Sequence, residues 1–280
     1  MTILIVFIVA AFLSIDSTGM ERLSPSSWAG PIAMITGAGI LFVGYEGFGL
    51  ITNAAANMKR PKWEIPRAIY GSIFIVIAIY VLVAIGVVTN IPLSQLKTLG
   101  DSALAVAAEP SLGKFGFKLI AIAAMLSTAS AVNATLFGSA NVAYQVSKNG
   151  ALPKAFDKKL WGRDVEGLFI TAALVLVFVL IFPLSAVASM GSAGFLLVYS
   201  AVNLGHLRIR SKTGAKRWPI VLSIITCLIL FAFLFVNMCT SAPTSAIALI
   251  ITMVFSWAFE VLYRRRTGRT FAKTLSQSQE

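Results

Sequence analysis

The chain has 280 residues, of which 58% are hydrophobic and 12% charged, and its mean hydropathy is +0.85. A soluble globular domain carries roughly a quarter of its residues as charges, so that class is excluded. Apolar runs able to cross about 30 Å of hydrocarbon recur along the chain without the alternating pattern of a lipid-facing barrel, which points to an all-α integral membrane protein.

Eight apolar segments follow in order. The first, Thr2 to Leu13, is short for a span and reads as the tail of a helix whose beginning is missing. A signal peptide fits its length, but no basic stretch precedes it and Leu13-Ser14-Ile15-Asp16 is a poor small-residue cleavage site. The second runs from Trp28 to Met58. Then come Ala68 to Val88, Phe115 to Val146, Leu168 to Phe182, Val187 to Leu207, Pro219 to Met238, and Ser245 to Tyr263. The connection Thr89 to Lys114 contains Ser102 to Glu109, a short helical candidate for the membrane surface. Pro61, Pro66 and Pro153 read as loop and helix-start punctuation. Trp28, Trp63, Trp161 and Trp218 fall near span ends, where an interfacial aromatic belt is expected.

The formal net charge is +12. Lys59, Arg60, Lys62 and Arg67 follow segment two, and Lys148, Lys154, Lys158, Lys159 and Arg163 follow segment four. Arg208, Arg210, Lys212, Lys216 and Arg217 follow segment six, and Arg264, Arg265, Arg266, Arg269 and Lys273 follow segment eight. Only Arg22, Lys97, Lys114 and Lys118 remain for the opposite side. Lys and Arg collect in cytoplasmic loops, so this alternation supports the segment count and predicts a cytoplasmic C-terminus. The same cations face anionic lipid headgroups and require no nucleic acid. The tail after Thr270 reads as a disordered end. Cys227 and Cys239 on one helix stand about 18 Å apart, beyond disulfide reach, and a single His206 argues against a structural zinc site.

Segment two holds an anomaly, ILFVGYEGFGLITNAAANMKRP, Ile40 to Pro61, with glycines at 44, 47 and 49 and a carboxylate at Glu46. Glycine weakens a helix, and an acidic side chain near the bilayer centre costs about 2.5–3.5 kcal/mol on insertion scales. Freed backbone groups are tolerated in a membrane only where protein or a water-filled cavity surrounds them. Broken helices near the midplane are how many secondary transporters build substrate sites. Val43, Gly44, Tyr45, Glu46, Gly47, Phe48 and Gly49 are therefore the candidate ligand-binding segment. Glu46 can bind a cation, carry a proton or hold the break in shape. The competing reading is that the glycines permit close packing and Glu46 bonds to a neighbouring helix.

The stretch FVGYEGFGLITNAAANMKRPKWEIPRAI, Phe42 to Ile69, resembles the sixth helix and following loop of amino-acid permeases of the amino acid–polyamine–organocation (APC) superfamily. LSTASAVNATLFGSANVAYQVSKNGALPKAF, Leu126 to Phe156, resembles their eighth helix and its exit loop. The resemblance covers nearly all of the chain and implies a partial leucine-transporter (LeuT) fold of about eight transmembrane helices, lacking most of the first inverted repeat. Residues 1–14 would then be the end of the family's fifth helix, 28–207 the second five-helix repeat, 218–263 two additional helices and 264–280 a cytoplasmic tail. It further implies that Ser127 and Thr128 lie near the place where relatives hold a sodium ion or equivalent cation. Gly49, Asn57 and Asn141 stand where relatives commonly carry acidic, polar or basic groups.

On a 3.6-residue helix, Thr128, Thr135 and Ser139 share one face and Ser127, Ser130, Asn133 and Asn141 another, which predicts a helix enclosed by protein. Interhelical hydrogen bonding is the competing account of each.

Two functions are carried forward. One is a secondary active transporter, symporter or antiporter, for an amino acid or related amine, resident in the cell membrane. It would be driven by protons, sodium or exchange, since no ATP-binding motif and no cofactor signature is present. The other is a non-transporting membrane fragment, or a binding and assembly subunit, that needs a separate N-terminal half; the sequence does not decide whether the chain self-associates. An enzyme ranks last, because no nucleophile–base pair or metal-ligand cluster is found.

Overall fold

The computed structural model describes residues 1–148, 150, 152, 153, 156 and 166–267. Lys154, Lys158, Lys159, Trp161, Arg163, Arg269, Lys273 and the tail after Thr270 lie outside them. The described residues form helices α1 (Thr2–Leu13), α2 (Ser17–Glu21) and α3 (Pro31–Leu41), then a 3₁₀ helix (Phe42–Asn57). These are followed by α4 (Pro61–Asn90), α5 (Leu93–Leu99), α6 (Ala103–Lys148) and α7 (Glu166–Ile181). The chain then runs through α8 (Leu184–Thr213), α9 (Arg217–Ser241) and α10 (Pro243–Thr267). Six of the described helical stretches are long and apolar enough to cross a membrane, beginning at Pro31, Pro61, Ala103, Leu184, Arg217 and Pro243, while Thr2–Leu13 and Gly167–Ile181 are shorter. The protein is a multi-pass, all-α integral membrane protein.

Several boundaries depart from the sequence reading. α4 starts at Pro61 and carries Pro66 inside its first two turns, so Pro66 is not a boundary. As the sixth residue of α4, Pro66 removes the N–H that would bond the Lys62 carbonyl, so the helix runs on through it at the cost of one intrahelical bond. The short surface helix and the following span share one α6 assignment, interrupted at Gly113, where φ is +63°. Only glycine takes that conformation without strain, so Gly113 separates the two parts.

The chain divides into two compact units, Met1–Ala29 with Gly47–Thr135, and Gly30–Glu46 with Leu136–Glu280. In the first, α1 packs on α4 around buried Phe7 and Ala11. Gly86 makes that approach possible: a Cβ there would stand 3.1 Å from the Ala11 Cβ and 3.3 Å from the Phe7 ring. Arg22 then donates to the Thr89 carbonyl at 2.9 Å, tying the α2 connection to the end of α4.

In the second unit α8 packs on α9, and α3 and α10 lie against both. Leu196, Leu234, Met238 and Leu249 are its buried centre. Gly39 of α3 meets α9 closely, since a Cβ there would be 3.3 Å from the Leu234 Cβ. Large apolar side chains such as Phe74, Leu180 and Phe255 remain exposed, as expected of helices whose outer faces meet acyl chains.

The middle of α6 departs from the enclosed helix that its polar residues predict. Ser127, Thr128, Ser130, Asn133 and Thr135 are all exposed, and Asn141 is half-buried. The buried α6 residues of the first unit's core, Ala105, Ala107, Ala108 and Ile120, all precede this stretch.

Candidate functional site

The anomalous span is built from α3 and the 3₁₀ helix that continues it. Pro31 occupies the first turn of α3, and the α-helical bonding ends at Leu41. There the Phe42 N–H turns to the Gly39 carbonyl, an i to i−3 bond in place of i to i−4. The 3₁₀ pattern then persists for 16 residues, although runs beyond three or four are uncommon and mid-helix ones mark hinges or strained sequences. Gly44, Gly47 and Gly49 all lie beyond the change. None needs a positive φ, and a Cβ at any of them would meet nothing within 4 Å. Close packing of the described residues therefore does not account for these glycines.

Two side chains of α8 hold the first part of this segment. Ser192, fully buried, accepts a hydrogen bond from the Val43 N–H at 2.9 Å and donates one to the Ile40 carbonyl at 2.8 Å. Tyr199, two turns further along α8, donates its hydroxyl to Glu46 Oε2 at 3.0 Å. Phe42 meets the Tyr199 ring edge-on at 6.1 Å and Phe195 stacks on it at 6.3 Å, which fixes where the hydroxyl can point. The other carboxyl oxygen, Glu46 Oε1, is buried and finds no partner among the described residues. A carboxyl group with one oxygen satisfied and one not can accept one more donor there: a proton, an ammonium group or a cation.

The candidate residues are distributed over both units. Val43, Gly44, Tyr45 and Glu46 belong with α8 in the second, and Gly47, Phe48 and Gly49 to the first. Ser127 and Thr128 also belong to the first unit, exposed on α6. A cavity of about 560 Å3 between α7, α8 and α10 offers little polar chemistry. It is lined by residues such as Phe178, Val187, Met190, Phe195 and Leu249. The Thr252 hydroxyl in its wall is already bonded to the Ala248 carbonyl at 2.8 Å.

Ser192 and Tyr199 escape the sequence reading. A trace of them is visible: Gly191-Ser192-Ala193-Gly194 is a run of small residues inside a span, the mark of a helix face that a neighbour approaches closely. A Cβ at Gly191 would in fact lie 3.3 Å from Val43 Cγ2.

Fold and site together define a helical multi-pass membrane protein in which one span changes its hydrogen bonding beside a half-buried carboxyl group. The family follows from comparison. A family model described as amino acid permease matches residues 1–259, and the chain belongs to that family, within the APC superfamily.

The chain is 40% identical over 274 residues to an uncharacterized protein of Methanocaldococcus jannaschii, covering 98% of this chain and 62% of that one. It is 32% identical over 237 residues to the inner membrane transport protein YbaT of Escherichia coli, covering 84% and 54% respectively. It is 24% identical over 227 residues to the branched-chain amino acid permease BcaP of Lactococcus lactis, covering 76% and 48%. The chain thus spans between about half and three-fifths of the length of these relatives.

Proposed function

We propose that the chain is the polypeptide, or the larger part of one, of a secondary active transporter for an amino acid or related amine. In this reading access alternates around the segment Gly44–Gly49, within a partial LeuT-like arrangement. Val43, Gly44, Tyr45, Glu46, Gly47, Phe48 and Gly49 line the solute path. Glu46, with Ser127 and Thr128, links movement to a proton or sodium ion. The C-terminus is cytoplasmic and the membrane is the cell membrane.

The observation that carries the reading is Glu46: one carboxyl oxygen held by Tyr199, the other buried and open to a donor. A donor supplied by the solute or by a coupling ion offsets the cost of keeping that oxygen from water. The relatives named as transporters and permeases supply the substrate class.

Uptake of a mixture of radiolabelled amino acids into proteoliposomes, under proton and sodium gradients in turn, is the test. Glu46→Gln is expected to cut uptake at least about tenfold, since a hydrogen bond to a charged group contributes about 1.5–3 kcal/mol. Unchanged uptake in the variant removes Glu46 from the mechanism. A second reading, a binding or assembly subunit that acts with other membrane segments, stays open because the chain spans 62% and 54% of two relatives. Uptake by the chain alone rules that reading out.

A further inference from the structure

We propose that Ser192 is a positioning residue: its hydroxyl is inserted into one turn of the α3 span and fastens the Glu46 segment to α8. Ile40 and Val43 are an i, i+3 pair, so their carbonyl and N–H are the groups that would close a 3₁₀ turn on each other. Instead the Ser192 hydroxyl stands between them, donating to the first at 2.8 Å and accepting from the second at 2.9 Å. A side chain inserted into the hydrogen-bond ladder is one of the few recognised causes of an abrupt change in a helix. Here it coincides with the point where α-helical bonding stops, at Leu41.

The ordinary behaviour of a membrane serine or threonine is different. Such a hydroxyl bonds back to a carbonyl one turn earlier in its own helix, where it costs little and links nothing. Ser200, buried on the same α8, does this with the Leu196 carbonyl at 2.8 Å, as Thr89 does in α4 with the Ile85 carbonyl at 2.8 Å. Ser192 departs from that habit because Gly191 beside it carries no side chain to hold α3 away. Fully buried, the hydroxyl has no water to turn to, and its removal takes a partner from a donor and an acceptor at once.

The anchor has a geometric consequence. Ser192 and Tyr199 lie seven residues apart and so share a face of α8. One grips the main chain at Val43, the other the carboxyl group of Glu46, one turn further on. Any sliding or rotation of α8 that keeps both bonds must take residues 43–46 with it, so α8 is the element that sets where the candidate segment stands. The transport significance of the clamp rests on the reading above; the clamp itself does not.

The test is the Val43 amide in the full chain in lipid nanodiscs, followed by NMR on 15N-valine-labelled protein in wild type, Ser192→Ala and Ser200→Ala. In Ser192→Ala the Val43 amide proton is expected to move upfield and to exchange with deuterium about fivefold faster, the loss of one neutral hydrogen bond. In Ser200→Ala, which removes a hydroxyl of equal size from the same helix, both are expected to stay as in wild type. An unchanged Val43 amide in Ser192→Ala, or the same change in Ser200→Ala, overturns the clamp. Uptake is read on the same three proteins reconstituted into proteoliposomes, so that a wild type failing to transport defeats the transporter reading while the amide still decides the clamp.

Discussion

α4 runs as one α-helix from Pro61 to Asn90, through Pro66, Gly71 and Gly86, whereas α3 gives up α-helical bonding after Leu41, ahead of the first glycine of its anomalous stretch. Both spans begin with proline in the first turn, and both contain residues that weaken a helix. What separates them is where their polar bonds go. In α4 the short bonds of Thr89 and Asn90, each at 2.8 Å, return to carbonyls of the same helix, Ile85 and Gly86, and Asn90 reaches the Ala11 carbonyl of α1 only at 3.5 Å. In α3 the hydroxyl comes from another helix and occupies the main-chain positions themselves. Weak helix formers permit a change of helix type; a competing partner for the backbone places it.

That contrast can be attacked from both sides. The largest effect is expected from Leu234→Ala, which removes the side chain on which Gly39 of α3 rests. Deleting a fully buried leucine side chain costs about 2–5 kcal/mol, and thermal unfolding in detergent should register it. The matching insult to the other span is Gly86→Val, which forces new methyl groups into the Ala11 and Phe7 contacts. Overpacking of this kind costs about 1–3 kcal/mol, and the loss should be confined to the α1–α4 contact.

Gly44→Ala sharpens the comparison most directly. Nothing lies within 4 Å of a Cβ at that position and its φ is not positive, so the variant is expected to be neutral or to stabilise by about 0.5–1 kcal/mol. The amide pattern around Leu41 should not move. Extension of α-helical protection past Phe42 in this variant would return the cause to the glycines.

The smallest effect concerns the connection before α2. Asp16 accepts from the Thr18 hydroxyl at 2.7 Å and from the Gly19 N–H at 2.6 Å, and these bonds hold its carboxyl group below the ordinary aspartate range. A lowered folded-state value means that this stabilisation is present above the ordinary value of about 3.9 and fades as pH falls through the folded one. Thermal unfolding followed through that acidic window should show a slight loss in wild type that Asp16→Asn lacks.

Much of the fold was legible because hydrocarbon is an unforgiving solvent. A backbone that must satisfy itself forms helices, and apolar runs mark where they lie, so the eight segments correspond to α1, the α3 span, α4, α6, α7, α8, α9 and α10. Pro66 was read as punctuation, yet α4 runs on through it, while Gly113 falls between the short helix and the span that follows, where the sequence parts them. The location of the anomaly was legible too, since Glu46 and three glycines are conspicuous in an apolar span. Its cause was not. Ser192 lies 149 positions from Val43, and nothing in a serine's neighbours along the chain says whether its hydroxyl will turn back to its own helix or across to another.

Composition and apolar periodicity, by themselves, determined that this protein crosses a membrane as helices and which stretch of it is costly to bury, because both follow from the transfer energies of individual residues. Tertiary structure alone decided which groups meet that cost. Hydrogen bonds to Ile40, Val43 and Glu46 depend on α8 lying against the α3 span, and that closeness comes from packing at Gly191, not from any local preference of the bonded residues.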